Sequence, residues 1–502
     1  MSSTPKKQAP LKRSAGVLMP VSSLPSPYGI GTFGRAAYSF ANFLKAAGQS
    51  YWQILPLSST GFGDSPYQSV SAFAGNPYFI DLDMLVEEGL LAPEEPLAFE
   101  WGEDPASVDY ALLYQNRYTL LKKAFANSKH SESLEFASFK AENSLWLENY
   151  SLFMAIKDEQ GGRPWELWPK NIQKCEQGEI DHLKAELAAQ IDFWQFVQFK
   201  FFAQWQALKA YVNGLGVQII GDIPIYVAYD SADVWANPEL FKLDEELQPT
   251  AVAGVPPDCF SEDGQLWGNP IYNWDLMAAQ GFSWWRGRMS HCAKLYDVIR
   301  IDHFVGIAHY YSIEAPAQNA RTGIWEDGPA AALLEAVSEA VGERKIIAED
   351  LGNVTEKVIG LKESFGYPGM KLLIFAFEGG EENPHLPSHY TGNELVYGGT
   401  HDNETLTGFA EGLSTIQQEL VRDYLEIDEN DDITQAIIRT AYASEANVAV
   451  FQIQDYLGLG NEARMNTPST LGGNWMWRLT EGQLTAELAV KMKRLAKRYG
   501  RI

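Results

Sequence analysis

Short apolar runs rich in β-branched residues recur along the chain, and each of them ends in polar or glycine-rich residues. This pattern predicts strands, and the segments between them have the apolar spacing of helices. Strands that alternate with helices are typical of a parallel sheet, and strands that are apolar throughout are buried on both faces. Eight such runs predict an α/β fold, a single (β/α)₈ TIM barrel. The predicted strands are Gly16 to Ser22, Tyr51 to Leu57, Val217 to Val227, Val298 to Phe304, Lys345 to Glu349, Lys371 to Phe377, Leu395 to Thr400 and Val448 to Gln454.

One long segment interrupts this alternation, between the second and third predicted strands. It spans about 150 residues, whereas a connection in a barrel usually has only a few. Its parts Tyr110 to Phe125 and Leu183 to Val212 have apolar residues at i, i+4 and i+8, which predicts helices. We therefore predict a mostly helical inserted subdomain over residues 85–215 that packs on the barrel.

The ends of the chain and the region after the third strand complete the predicted organisation. Residues 1–13 have the composition of a disordered lead, and residues 14–502 form a single catalytic barrel. Residues 228–297 are predicted to be a lid-loop region, in which Gly254 to Trp274 is an irregular loop. Only about forty residues follow the eighth strand, fewer than the roughly 100 of a β-sandwich, so no C-terminal sandwich is expected.

Charge and composition restrict the class of ligand. The 502 residues are 46% apolar, and 39 basic against 65 acidic residues give a net charge of −26. This charge repels nucleic acid and anionic membranes, and it permits a neutral ligand such as a sugar. No apolar run approaches the roughly 18 residues of a bilayer span, and the first residues lack the apolar core of a secretory signal. Cys175, Cys259 and Cys292 are few and far apart, which favours a reducing cytoplasm.

Acidic residues end four of the predicted strands. They are Asp222, Asp302, Glu349 and Asp402, on the third, fourth, fifth and seventh strands. Because the carboxyl ends of barrel strands meet at one open mouth, we expect these carboxylates to lie in one cleft. Like charges in a partly desolvated cleft separate their pKa values, so one acid stays protonated while another is ionised. A retaining glycosidase uses such a pair, one carboxylate as nucleophile and one acid as proton donor.

Basic and further acidic residues accompany these four. Arg300 lies two residues before the acid of the fourth strand, on the same strand face, and can hold it ionised and oriented. His303 and His401 could be half-buried packing residues, but their position beside candidate catalytic acids favours hydrogen bonding to sugar hydroxyls. A single acid at a strand end more often caps a helix or a loop, and this structural interpretation is kept for Asp350 and Glu404.

Two aromatic residues stand apart from the many others. Tyr67 and Trp267 lie in glycine-rich loops without apolar periodicity, which favours flat platforms for the apolar faces of sugars. The loop around Trp267 suggests a mobile aromatic lid. For most other Trp and Tyr residues, including Trp194, Trp205 and Tyr211 of the helical insertion, core packing is the better interpretation.

Eight motifs in order resemble one known family. They are SPYQSVSAFAGNPYFIDL, IIGDIPIYVAYDSADVW, AGVPPDCFSEDGQLWGNPIYNW, VIRIDHF, IIAEDLG, YPGMKLLIFAF, GTHDNET and ARMNTPSTLGGNWMWR. Together, from about Gly16 to Arg478, they resemble the amylomaltase or disproportionating-enzyme family, glycoside hydrolase family 77 of the α-amylase clan. The resemblance implies a 4-α-glucanotransferase, which moves an α-1,4-glucan segment to a glucose or glucan acceptor through a covalent glycosyl-enzyme intermediate.

The resemblance also implies a role for each candidate residue. The nucleophile would be Asp302, the acid/base Glu349 and the stabiliser of the transition state Asp402. Around the donor sugar it implies Asp222, Arg300 and His401, with Tyr67 stacked on that sugar and Trp267 on an acceptor-side loop. It implies no cofactor and no metal. The family usually reads THDND followed by TT and GW, whereas this chain has Glu404, Leu406 and Gly408-Phe409, which affects acceptor-side detail.

Two other classes of function stay open from the residues alone. One is a catalytically silent glucan-binding barrel. The other is a metal-dependent barrel hydrolase with Asp222, His303, His401 and Asp402 as ligands, although the first strand lacks a His-x-His pair. The acids do not separate transfer from hydrolysis, because both reactions share the covalent intermediate. A monomer or weak homo-oligomer is expected.

Overall fold

The computed structural model describes residues 7–61, 63–257 and 261–502, and within them twelve strands form two sheets. The strands are β1 (Ser14–Leu18), β2 (Tyr51–Gln53), β3 (Gln218–Ile223), β4 (Ala251–Val255), β5 (Gln265–Pro270), β6 (Val298–Ile301), β7 (His309–Glu314), β8 (Ile324–Asp327), β9 (Lys345–Ala348), β10 (Gly369–Leu372), β11 (Glu394–Tyr397) and β12 (Val448–Gln452). The larger sheet has eight strands in the order β10-β11-β12-β1-β2-β3-β6-β9, and all its pairs are parallel. Each of the eight predicted strands is present, so the predicted barrel is confirmed.

The barrel nearly closes between its fifth and sixth strands, β9 and β10. There the backbone N–H of Ala348 donates to the carbonyl of Pro368 at 3.0 Å. The residues of β1, β11 and β12 are all buried, as expected for strands covered on both faces. Gly16 on β1 lies opposite Tyr51, and an added Cβ there would stand 2.8 Å from the Cβ of Tyr51, so close strand packing requires glycine at this position.

Helices accompany the barrel strands, and in the described part of the chain seven of them, α2 to α8, lie in the insertion between β2 and β3. The helices are α1 (Arg35–Ala46), α2 (Leu82–Glu87), α3 (Tyr110–Asn127), α4 (Leu134–Glu142), α5 (Ser144–Glu159), α6 (Lys170–Gln173), α7 (Gln177–Glu186), α8 (Ala188–Gly214), α9 (Ala232–Ala236), α10 (Trp274–Ala279), α11 (Ser283–Leu295), α12 (Val305–Ala308), α13 (Ala330–Val341), α14 (Glu356–Phe365), α15 (Leu406–Gly412), α16 (Thr415–Tyr424), α17 (Ile433–Ala443), α18 (Ile453–Leu457) and α19 (Ala486–Arg498).

The 27-residue helix α8 attaches the insertion to the barrel through aromatic side chains. Phe201 and Trp205 of α8 have ring centroids 5.1 and 5.2 Å from that of Phe33, and all three side chains are buried. Trp194 is buried as predicted. Tyr211 differs from the prediction, because 37% of it is exposed and its hydroxyl donates to Asn42 at the surface.

The smaller sheet corrects one prediction about the lid-loop region. The segment Gly254 to Trp274, expected to be irregular, contains the end of β4 and all of β5, which pair antiparallel. They belong to a four-stranded sheet in the order β5-β4-β7-β8, and β4 pairs with β7 more than 50 residues later in the chain. Because that partner is distant in sequence, the local glycines and prolines indicated a loop, although the segment forms strands. Asp258, Cys259 and Phe260 of this segment lie outside the described residues.

The start of the described chain also differs from the expected disordered lead. The side chain of Gln8 exchanges two hydrogen bonds with the backbone of Ile346, at 3.0 and 2.7 Å. The guanidinium of Arg13 donates to the carbonyls of Tyr442 and Ser444. Polar side chains thus attach residues 8–13 to the barrel, a kind of anchoring that hydropathy does not reveal. Residues 1–6 lie outside the described part.

After β12 the described chain continues through α18 and α19. Among the helices of residues 7–502 that the structure describes, none combines the length and the hydropathy required to cross a bilayer.

Candidate active site

Arg300 on β6 joins two of the predicted acids at the carboxyl end of the barrel. Its Nη1 donates to both carboxylate oxygens of Asp222, at 2.7 and 2.6 Å, and to Oδ1 of Asp302 at 2.9 Å. Burial opposes the charge of this arginine, which is 3% exposed, but the two carboxylates raise its pKa well above the ordinary value. A permanent positive charge therefore lies beside Asp302.

Glu349 follows β9 and faces the same end of the barrel. Its Oε2 accepts a hydrogen bond of 2.7 Å from the backbone N–H of His303, which has a left-handed φ of 51°. Burial raises the pKa of Glu349 to about 8, and the charge of Asp302 adds to this rise, while Arg300 opposes it. Glu349 is 8% exposed. Burial therefore favours the neutral, protonated form of this carboxyl group.

Asp302 has a different environment from Glu349, although burial also raises its pKa, to about 7. The charges of Asp222 and Asp402 raise it further, and the direct hydrogen bond from Arg300 lowers it. Its side chain keeps 27% exposure, so water and the arginine both support the ionised form. The hydrogen bond from Arg300 and the contact with solvent therefore favour the ionised form at Asp302 more than at Glu349.

Asp402 lies in the turn after β11 and is held by residues that sequence reasoning missed. Its Oδ1 accepts a hydrogen bond from Nδ2 of Asn466 at 2.7 Å, and its carbonyl accepts one from Arg464 at 2.9 Å. Its side chain is 42% exposed. Both partners belong to the ARMN segment after β12, so that motif was the available signal for them.

Tyr67 connects the loop after β2 with this acidic cluster. Its hydroxyl donates to Oδ2 of Asp222 at 2.9 Å and lies 2.8 Å from Nε2 of His401. Burial lowers the pKa of His401, so the neutral ring can donate its Nε2–H to the tyrosine oxygen. The two rings stack with centroids 5.2 Å apart, and Trp475, a further missed residue, lies 5.8 Å from Tyr67. The three rings form one aromatic wall.

Trp267 on β5 forms the other aromatic element. Its ring meets that of His303 edge to face, with centroids 4.8 Å apart, and burial lowers the pKa of this histidine to about 4. The amides of Gln68 and Asn269 exchange hydrogen bonds at 3.0 and 3.4 Å, and Gln68 also donates to the carbonyl of Trp267 at 3.3 Å. The Tyr67 loop is therefore attached to the strand that carries Trp267.

The two acids predicted to be structural have structural partners. Asp350 accepts hydrogen bonds from the backbone of Met370 at 2.7 Å and from Lys362 at 2.5 Å. Glu404 accepts one from Asn461 at 2.8 Å. Both thus support the loops that carry the neighbouring candidates.

The proposed metal ligands do not form a metal site. Asp222 is occupied by Arg300 and Tyr67, and Nε2 of His401 is shared with Tyr67. In the ranges 7–61, 63–257 and 261–502, no group of three or more His, Cys, Asp or Glu side chains is arranged to hold a metal ion. The geometry favours acid/base and nucleophilic chemistry with carboxylates.

Known proteins resemble this chain over almost its whole length. The family described as 4-alpha-glucanotransferase, glycoside hydrolase 77, matches residues 19–485. A 4-alpha-glucanotransferase of Clostridium butyricum is 47% identical over 485 residues, covering 96% of this chain and all of that protein. One of Thermus thermophilus is 46% identical, covering 98% and 100%. Among solved structures, an amylomaltase from Streptococcus agalactiae in complex with acarbose is 42% identical, with a TM-score of 0.94 and coverage of 98% and 100%.

Proposed function

Because the chain belongs to the 4-α-glucanotransferase family, we propose that three carboxylates at its strand ends divide the chemistry of glucan transfer. The chain is a 4-α-glucanotransferase, which transfers an α-1,4-glucan segment from a donor to a glucose or glucan acceptor. We propose that this transfer retains the anomeric configuration. Asp302 is the proposed nucleophile, Glu349 the acid/base and Asp402 the group that stabilises the transition state.

In the first half of the proposed reaction, the Asp302 carboxylate attacks the anomeric carbon of the donor. Glu349 gives its proton to the glycosidic oxygen, which leaves as the hydroxyl of the shorter glucan. In the second half, Glu349 accepts the proton of an acceptor hydroxyl while that oxygen attacks the anomeric carbon. Asp302 is then released as a carboxylate, so the acids return to their starting states.

The observation that carries this assignment is the different environment of the two acids. Asp302 receives a hydrogen bond from Arg300, which keeps the nucleophile ionised and oriented. Glu349 is more deeply buried, and among the described residues its side chain accepts a hydrogen bond only from the backbone N–H of His303, which leaves its second oxygen for the substrate. Asp402 lies near enough to Asp302 for its charge to raise that pKa, which supports its role at the same sugar ring.

The remaining candidates divide between the two sides of the scissile bond. Asp222, His401 and Tyr67 join through hydrogen bonds on the nucleophile side, so we assign them, with Arg300, to the donor sugar. The backbone N–H of His303 donates to Glu349, and the imidazole ring of His303 packs against the ring of Trp267. Since the acid faces the leaving oxygen, we assign this pair to the leaving glucan and the incoming acceptor.

α-1,4-Glucans are the substrate class of this enzyme family. We propose maltooligosaccharides and fragments of starch or glycogen as the substrates. The proposed state is a cytoplasmic monomer or weak homo-oligomer that uses no cofactor.

Chromatography of the products from maltotriose tests the assignment. The wild-type chain should release glucose together with maltodextrins longer than the substrate, and Asp302→Asn should release neither. Asp327→Asn is a matched control, because that side chain is 88% exposed, and it should behave as the wild type. Undiminished turnover by Asp302→Asn would refute the role of Asp302.

A further inference from the structure

A groove of about 820 Å³ opens beside the candidate active site and extends to the helical insertion. Gln68 and Trp267 line one end, and Trp165, Glu166 and Asp230 line the other. The volume lies in the range of pockets that bind small ligands. The lining also includes Gln318, Asn319, Ser469 and Leu471. The groove is therefore built by several separate loops and is not a gap within one element.

The near end of the groove lies on the side of the leaving glucan. The Trp267 ring packs against His303, whose backbone N–H binds Glu349. Because Glu349 is the proposed proton donor, a glucan chain that leaves or enters must pass this side. A longer acceptor would continue from Trp267 into the groove.

The far end of the groove offers fixed aromatic surface. The indole N–H of Trp165 donates to the carbonyl of Tyr229 at 2.7 Å, and the two ring centroids are 5.0 Å apart. The hydroxyl of Tyr229, which is half-buried and lines the groove, donates to the carbonyl of Leu247 at 2.6 Å. A ring fixed in this way can accept the apolar face of a glucose unit at little cost in entropy.

Two carboxylates lie beside this aromatic surface, and one of them has a free hydrogen-bonding capacity. Asp230 accepts hydrogen bonds from Lys157 at 2.6 Å and from the backbone of Trp165 at 3.2 Å. Glu166 is half-buried, and its carboxylate has no hydrogen-bond partner within the described parts of the chain. Burial and the charge of Asp230 raise the pKa of Glu166. A sugar hydroxyl would supply the donor that this carboxylate lacks.

We propose that Glu166 and Tyr229 form a glucan subsite on the helical insertion, which binds an acceptor glucose unit beyond the one next to the scissile bond. This inference rests on the proposed function, because it needs the acceptor to enter beside Glu349. The subsite makes the enzyme favour longer acceptors. Glucose itself fills only the position next to the catalytic acids, so it gains nothing from Glu166.

The test compares acceptors of increasing length with the full-length chain. Unlabelled maltohexaose is the donor, and ¹³C-labelled glucose, maltose, maltotriose and maltotetraose are the acceptors, with products counted by mass spectrometry. Glu166→Ala should raise the KM for labelled maltotriose and maltotetraose about tenfold, the size of one lost hydrogen bond to a charged group, and leave glucose unchanged. Glu166→Gln keeps an oxygen that can accept a hydrogen bond, so its KM values should lie between those of wild type and Glu166→Ala. Glu159→Ala, an exposed acid of the same insertion outside the groove, is the matched control.

Two results would overturn the subsite: equal KM values for all acceptors in Glu166→Ala and wild type, or an equal loss for glucose and maltotetraose. Calorimetry provides a second measurement without turnover. Maltotetraose should bind the Asp302→Asn/Glu166→Ala chain about tenfold more weakly than the Asp302→Asn chain. Failure of the proposed function is distinguishable, because Asp302→Asn would then retain transfer to every acceptor.

Discussion

Replacing Glu349 by Gln tests the division of labour between the two coupled acids. Burial raises the pKa of Glu349 to about 8, and the charge of Asp302 adds to this rise, so the protonated form is favoured at neutral pH. An exposed glutamate with a pKa of about 4.3 would be protonated in only about one molecule in 500. Gln keeps the shape and the oxygen that accepts from the backbone of His303, but it has no acidic proton.

The expected loss follows from the role of the proton donor. General acid catalysis accelerates such a reaction about 10²- to 10⁴-fold, which corresponds to lowering the activation free energy by about 3 to 5 kcal/mol. The kcat of Glu349→Gln on maltotriose should fall by this factor. Fluoride leaves without protonation, so release of fluoride from α-maltotriosyl fluoride in the first turnover should stay within about tenfold of wild type.

The pH dependence of the activity provides an independent test of the proton donor. The reaction needs Glu349 protonated, so wild-type activity on maltotriose should decline as the pH rises through about 8. Because the two acids interact, the apparent pKa of this alkaline limb of the pH profile describes Glu349 and Asp302 as a pair. With the fluoride substrate, Glu349→Gln should lack the limb. Stopped-flow fluoride detection and chromatography provide the rates, and equal losses on both substrates would refute the assignment of the proton donor.

Two further changes test the support of the site. Gln68→Leu and Asn269→Leu should each lower the ratio of transfer to hydrolysis, because each removes the hydrogen bonds between the two amides. The double variant should lose less than the sum of the two single losses, and additive losses would contradict this coupling. Asp455, buried against the backbone N–H of Leu406, has a pKa raised by burial to about 7. Its native form holds the proton more tightly than the unfolded chain, so wild-type stability should fall as the pH rises from about 4 to 7. Urea unfolding at several pH values should show a smaller decrease in the free energy of unfolding for Asp455→Asn than for wild type. An equal decrease in both proteins would contradict this role of Asp455.

The barrel could be predicted because its strands are buried on both faces. The eight apolar runs signal this burial directly, and the acids that follow them must meet at one end. The bounds of the predicted strands were less accurate: β3 stops at Ile223, and β10 stops at Leu372, where a 3₁₀ helix follows over Leu373–Phe375.

The rest depended on contacts between distant segments. The strand β4 pairs with β7, and β5 joins the same sheet through β4, so no local pattern shows these strands. Asn466 and Trp475 follow the last strand in irregular chain, and only the tertiary fold brings them to Asp402 and Tyr67. Residues of this kind have neither periodicity nor a strand end to mark them.

Trapping the covalent intermediate is the most direct test of the central claim that Asp302 is the nucleophile. Glu349→Gln forms the intermediate from α-maltotriosyl fluoride but lacks the base that activates an acceptor, so the glycosyl-enzyme should accumulate. Mass spectrometry of the digested protein should find one maltotriosyl ester, on the peptide that contains Asp302. An ester on Asp222 or Asp402, or fluoride release with no labelled peptide, would contradict the account.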